Sequence, residues 1–124
     1  MVSNPYETYK QQSVMTMTPG QMLITVYNEL IKQMQFTLIS FEKNDLAGIN
    51  NYLIKAQQAL GLLRGALNSE YGISNDLDAL YEYFNHVLVN TNIKKDASEL
   101  PAVIDMVTEL RDAFAEADKK AQVS

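Results

Sequence analysis

Leu46, Ile49, Leu53, Ala56, Leu60, Leu63 and Leu67 follow one another in steps of three and four without a miss. An α-helix turns once every ~3.6 residues, so this spacing draws one apolar seam along a helix; a strand would need a period of two. A seam sustained over about three heptads has to be buried against other helices. The pattern therefore commits the chain to helix-on-helix packing.

The flanking segments carry the same period. Thr18-Pro19-Gly20-Gln21 reads as a helix start, with Thr18 as cap, Pro19 at the first helical position and Gln21 closing a capping box. Leu23, Val26, Tyr27, Leu30, Met34, Leu38 and Phe41 then share one face. Lys43-Asn44-Asp45 interrupts the pattern, with Asp45 as a cap for the next helix. Gly72 reads as a left-handed stop, and Ser74 or Asn75 as the restart. Leu77, Leu80, Tyr81, Phe84, Val87 and Leu88 form a third stripe; Val103, Val107, Leu110, Phe114 and Ala117 form a fourth. Pro101 has to lie in the first turn of the last helix, where its missing N–H leaves no bond unmade. The expectation is a single all-α domain over 1–124, an antiparallel four-helix bundle with an extended N-terminal arm: arm 1–17, helices roughly 19–42, 46–71, 75–92 and 99–119.

The first of these helices is unusual in its charges. Between Met15 and Phe41 the charged side chains are Glu29 and Lys32, in a chain that is 20% charged overall. A helix that omits its charged face buries more than one side or keeps a face for a partner. Met22, Phe36 and Ile39 fall off its stripe, as do Ile54 and Leu62 in the second helix and Val89 and Ile93 in the third. A contiguous set of such residues would mark a partner site. The arm before this helix has Tyr6, Tyr9 and Val14 as apolar anchors in a polar segment, a strap that can cover the uncharged helix and be displaced.

A formal charge of -5 and the absence of a clustered basic surface argue against nucleic acid. No cysteine is present, which removes disulfides and thiolate metal sites. The N-terminus lacks the basic start and apolar run of a signal peptide, and Met22–Phe41 carries Gln33, Gln35 and two charges, so neither secretion nor membrane insertion is expected. The reading is a cytoplasmic protein.

Chemistry is harder to find. His86 is the one histidine, which excludes a di-iron bundle built on paired Glu-x-x-His motifs. A histidine-phosphotransfer bundle is the rival reading; Val89 and Asn90 stand where that family usually places a lysine and a small residue. His86 lies off the Phe84–Leu88 stripe and is expected at a rim. Asp76 and Asp78, Glu109 and Asp112, and Glu116 and Asp118 read as solvated helix surface. No phosphate loop or hydrolase motif occurs. No catalytic residue, metal or cofactor is assigned. A third reading is a structural bundle whose uncharged helix makes a homodimer.

The arm YKQQSV (Tyr9 to Val14), TPGQMLITVYNELI, NNYLIKAQQAL, DLDALYEYFNHVL and the IKKD-to-LRDAF span, in this order, resemble the flagellar secretion chaperone FliS family from Asn4 to about Ala117. The resemblance implies a non-catalytic four-helix bundle that holds the disordered C-terminal segment of flagellin, keeps it from polymerising in the cytosol, and hands it to a membrane protein of the type III export gate. It also implies that the arm packs near the flagellin site. Tyr6, Tyr9 and Val14 match the arm anchors, and Leu23, Val26, Tyr27 and Ile31 the apolar helix opening. Tyr81 and Tyr83 match a Leu-Tyr-x-Tyr element, and off-stripe Met22 joins the expected flagellin groove. Asn28-Glu29 and Pro101 depart from the commoner pattern.

Overall fold

The computed structural model describes residues 17–67 and 72–123. They form α1 (Pro19–Glu42), α2 (Leu46–Gly65), α3 (Gly72–Lys94) and α4 (Leu100–Val123), with no strand among the described residues. Each helix packs on its neighbours in a ring: α1 on α2 and α4, α2 on α3, α3 on α4, the α1–α2 contact being the most extensive. A helix of 24 residues is ~36 Å long, so a link as short as Lys43–Asp45 can return the chain along α1 only if α2 runs antiparallel to it. Tyr6, Tyr9 and Val14, the expected arm anchors, lie outside the described residues.

The helix starts follow the capping chemistry. Gln21 N–H donates to Thr18 Oγ1 (3.1 Å) and Thr18 N–H to Gln21 Oε1 (3.0 Å), a complete capping box with Pro19 just inside it. Gly48 N–H donates to Asp45 Oδ1 (3.0 Å), which caps α2. Leu100 opens α4, so Pro101 does fall in its first turn.

One core runs through the ring. Tyr27, Leu30 and Met34 from α1 meet Ile49, Leu53, Ala56, Leu60 and Leu63 from α2; Tyr81, Phe84, Val87 and Leu88 come from α3, and Leu100, Val103 and Val107 from α4. Each large aliphatic or Phe side chain so buried contributes about 1.5–3 kcal/mol. The charge-poor α1 also buries Thr37 on its stripe and Gln33 and Ser40 beside it, so its buried face is wider than the apolar stripe. That is one reason it carries so few charges.

Four expectations change. Gly72 opens α3 instead of stopping α2, which already ends at Gly65 with Ala66 as cap; the cap's N–H is satisfied by Leu62 and Leu63 carbonyls. Leu46, read as part of the seam, is 62% exposed because it sits at the first residue of α2, beyond the reach of the core. Ala117 is also exposed. Helix α4 continues to Val123, past that last stripe residue, through good helix formers with no glycine or proline to stop it.

Candidate partner-binding groove

The α1–α2 hairpin builds the site. Asn44 turns the chain in the left-handed region (φ 54°), a conformation asparagine tolerates better than most residues. In an antiparallel hairpin, residues equidistant from that turn face one another. Ser40 faces Gly48, where a Cβ would lie 2.7 Å from Ser40 Oγ, so glycine permits the close approach. Phe36 faces Tyr52, ring centroids 5.3 Å apart. Further from the turn, Gln33 with Lys55, Glu29 with Ala59 and Val26 with Leu62 line one concavity of about 470 Å³. Beyond it Met22, Leu23, Val26, Leu62, Leu63 and Ala66 line a second, of about 560 Å³. Val26 and Leu62 belong to both, so the two form one groove.

Its chemistry is graded. The end near the start of α1 is apolar, with Met22 46% and Leu62 65% exposed at its rim. The middle is mixed, with polar groups from Thr25, Glu29, Gln33, Lys55 and Gln58 set among Val26, Ala59 and Leu62. Gln33 Nε2 donates to Glu29 Oε1 (2.7 Å), and Lys32 Nζ pairs with Glu29 Oε2 (3.1 Å). Past the middle lie Phe36 and Tyr52, with the Lys55 ammonium 5.8 Å from the Tyr52 ring centroid. From Met22 to Gln33 the groove follows α1 for ~17 Å.

A sequence profile of the family described as "Flagellar protein FliS" matches residues 2–121. The chain is also 37% identical over 116 residues to the "Flagellar secretion chaperone FliS" of Bacillus subtilis (strain 168), a match that spans 94% of this chain and 87% of that protein. The chain belongs to the FliS family.

In this FliS-family bundle the expected contact residues separate into three places. Met22, Leu23 and Val26 come together in the groove. Tyr27, Ile31 and Tyr81 are buried in the core, at 0%, 6% and 1% exposure, and offer no open surface to a partner. Tyr27 stacks on Phe114 of α4 (5.6 Å), and its hydroxyl hydrogen-bonds the Tyr81 hydroxyl, joining α1 to α3. Burial pushes both hydroxyls above the ordinary tyrosine range; the mutual hydrogen bond raises Tyr27 further and partly offsets the rise in Tyr81. Tyr83 is exposed on α3, away from the groove, beside a polar recess of about 270 Å³ that includes His86.

His86 is exposed as expected, and Asn90 Nδ2 donates to its Nε2 (2.8 Å). Asp78 pairs with Arg64 (3.1 Å) across α2 and α3, and Asp118 lies against the start of α1, where a Cβ on Gly20 would come 2.1 Å from its Oδ1. These two carboxylates are therefore only partly solvated, unlike the open surface expected of them. Among the described residues no cluster of histidines and carboxylates could hold a metal, and no helix is long and apolar enough to cross a membrane. Asn28, one of the family departures, accepts from Arg111 Nη1 (3.0 Å) and so ties α1 to α4. Leu63, Ala66, Gln33, Lys55 and Gln58 are among the groove residues that the sequence reading missed. The signal for them was the short turn at Asn44, which fixes what lies opposite Met22 and Val26.

Proposed function

We propose that this chain is a flagellin export chaperone, and that the C-terminal segment of flagellin docks along the α1–α2 groove. The observation that carries the reading is an open apolar concavity beside the charge-poor helix of a FliS-family chain. A disordered segment loses entropy when it binds, at a cost of about 2–5 kcal/mol or more, so its host has to offer extended apolar contact. Met22, Leu23, Val26 and Leu62 supply that contact, and Met22 adapts its shape to what it meets. The protein acts by binding and not by catalysis, in the cytosol. It keeps flagellin from polymerising and delivers it to the membrane protein of the type III export gate, without binding nucleic acid.

The arm serves as a removable cover. Met17 Sδ lies 3.6 Å from the Thr25 hydroxyl, whose proton goes to the Gln21 carbonyl (2.9 Å), so the Met17 side chain reaches along α1 to a residue that lines the groove. Tyr6, Tyr9 and Val14 are the anchors proposed for that cover. Titration calorimetry with a peptide of the flagellin C-terminal segment tests the function: saturable one-to-one binding with a negative heat-capacity change is expected. A flat trace from folded protein would remove the reading. Mass by light scattering that doubles with concentration, and reverts when the peptide is added, would place a second copy of the chain in the same groove.

A further inference from the structure

Among the described residues, the buried side-chain atom left without a hydrogen-bond partner is Gln33 Oε1. Gln33 is 5% exposed and lines the mixed middle of the groove. Its orientation is set by Glu29: Nε2 donates to the Glu29 carboxylate at 2.7 Å, and turning the amide over would set two acceptor oxygens against each other. The nearby donors are committed elsewhere. The Thr37 hydroxyl gives its proton to the Gln33 backbone carbonyl (2.8 Å), and the ammonium of Lys55, which faces Gln33 across the hairpin, sits over Tyr52. A buried acceptor without a donor is costly to keep, and methionine or leucine would fill a similar volume without that cost.

We propose that Gln33 is a specificity-determining residue whose side-chain oxygen receives a hydrogen bond from a neutral N–H or O–H of the segment in the groove. The proposal rests on the flagellin reading above. Charge on the walls selects the donor. The Glu29 carboxylate is already matched by Lys32, Lys55 on the opposite wall disfavours a cation, and an anion has no hydrogen to give. Lys55 and Gln58 line the groove beside Gln33 with long, exposed side chains, which change rotamer as the segment seats while Glu29 keeps the amide oriented. Gln33 is two turns beyond Val26, so the segment places its apolar anchors against Met22, Val26 and Leu62 and its donor ~10 Å further along. A helical stretch supplies that donor from a serine, threonine, asparagine or glutamine side chain, because its interior N–H groups are already bonded; an extended stretch uses a backbone N–H.

The test compares wild type with Gln33→Leu and Gln33→Met, by thermal melting of the free chain and by calorimetric titration with the flagellin peptide. Both variants are expected to melt at or above the wild-type temperature while binding the peptide about tenfold more weakly, because the peptide's donor is left unpaired. Substituting the peptide one residue at a time should then find a position whose loss is not additive with that of Gln33→Leu. Variants that melt lower and lose affinity in parallel would make Gln33 a structural residue, satisfied within the fold, and overturn the proposal. Unchanged affinity would overturn it too. A wild-type chain that binds no peptide removes the functional reading itself, whereas a wild type that binds and variants that bind equally well remove this inference alone.

Discussion

Tyr27 and Tyr81 show how far a residue's role depends on its depth. Both sit at the apolar edge of a helical stripe, a position that core residues and groove residues share, so periodicity cannot separate the two roles. The fold separates them by sealing the pair, hydroxyl to hydroxyl, between α1 and α3. Removing one hydroxyl, in Tyr27→Phe or Tyr81→Phe, leaves the other buried and unpaired and should cost about 1–3 kcal/mol in denaturant unfolding; the double substitution should cost less than the two singles together. Additive losses would show that the hydroxyls do not depend on each other. The pair also sets an alkaline limit. Below pH 10, the ordinary tyrosine value, both states keep these protons; above it the unfolded chain loses them while the folded chain retains them. Stability should therefore fall as the pH rises past 10, by up to about 1.4 kcal/mol per pH unit for each tyrosine, and the double phenylalanine variant should fall less. The two profiles, measured side by side by unfolding, check this.

At the level of the helices, most of the architecture was legible. The seam from Ile49 to Leu63, the Thr18–Gln21 capping box, the Asp45 cap and the place of Pro101 are local chemistry, and the structure reproduces each one. The end of α2 was not legible, since Leu67 continues the apolar spacing after the helix has stopped at Gly65. Two glycines near that end, Gly61 and Gly65, weaken the helix without serving any close contact: a Cβ at either meets nothing within 4 Å. Gly61→Ala should accordingly raise stability by about 0.5–1 kcal/mol, read as a shift in the denaturant midpoint. Gly20 is the opposite case, because Asp118 occupies the space a Cβ would need; Gly20→Ala has to push that carboxylate off the start of α1 and should lower the melting temperature.

For the molecule as a whole, the charge-poor helix has two causes that the sequence presents as one. Part of α1 is uncharged because α2 and α4 enclose it, down to Gln33, Thr37 and Ser40. The remainder, at Met22 and Val26, is uncharged while facing a groove. Composition averages over both, and only the register of the α1–α2 hairpin separates them. Off-stripe Met22 and Leu62 were visible one by one; that they line the same concavity follows from the turn at Asn44. The central claim is that this concavity receives the flagellin segment, and its most direct test is a charge placed in it. Leu62 is 65% exposed but lies in the last turn of α2, so Leu62→Asp should cost about 1 kcal/mol of unfolding free energy, from helix propensity and the helix dipole, and leave the chain folded. Calorimetric titration of this variant with the flagellin C-terminal peptide should show at least about tenfold weaker binding, as expected when an unpaired carboxylate has to be desolvated in an apolar contact. A folded Leu62→Asp chain that binds the peptide as tightly as wild type would contradict the account and move the docking surface elsewhere on the bundle.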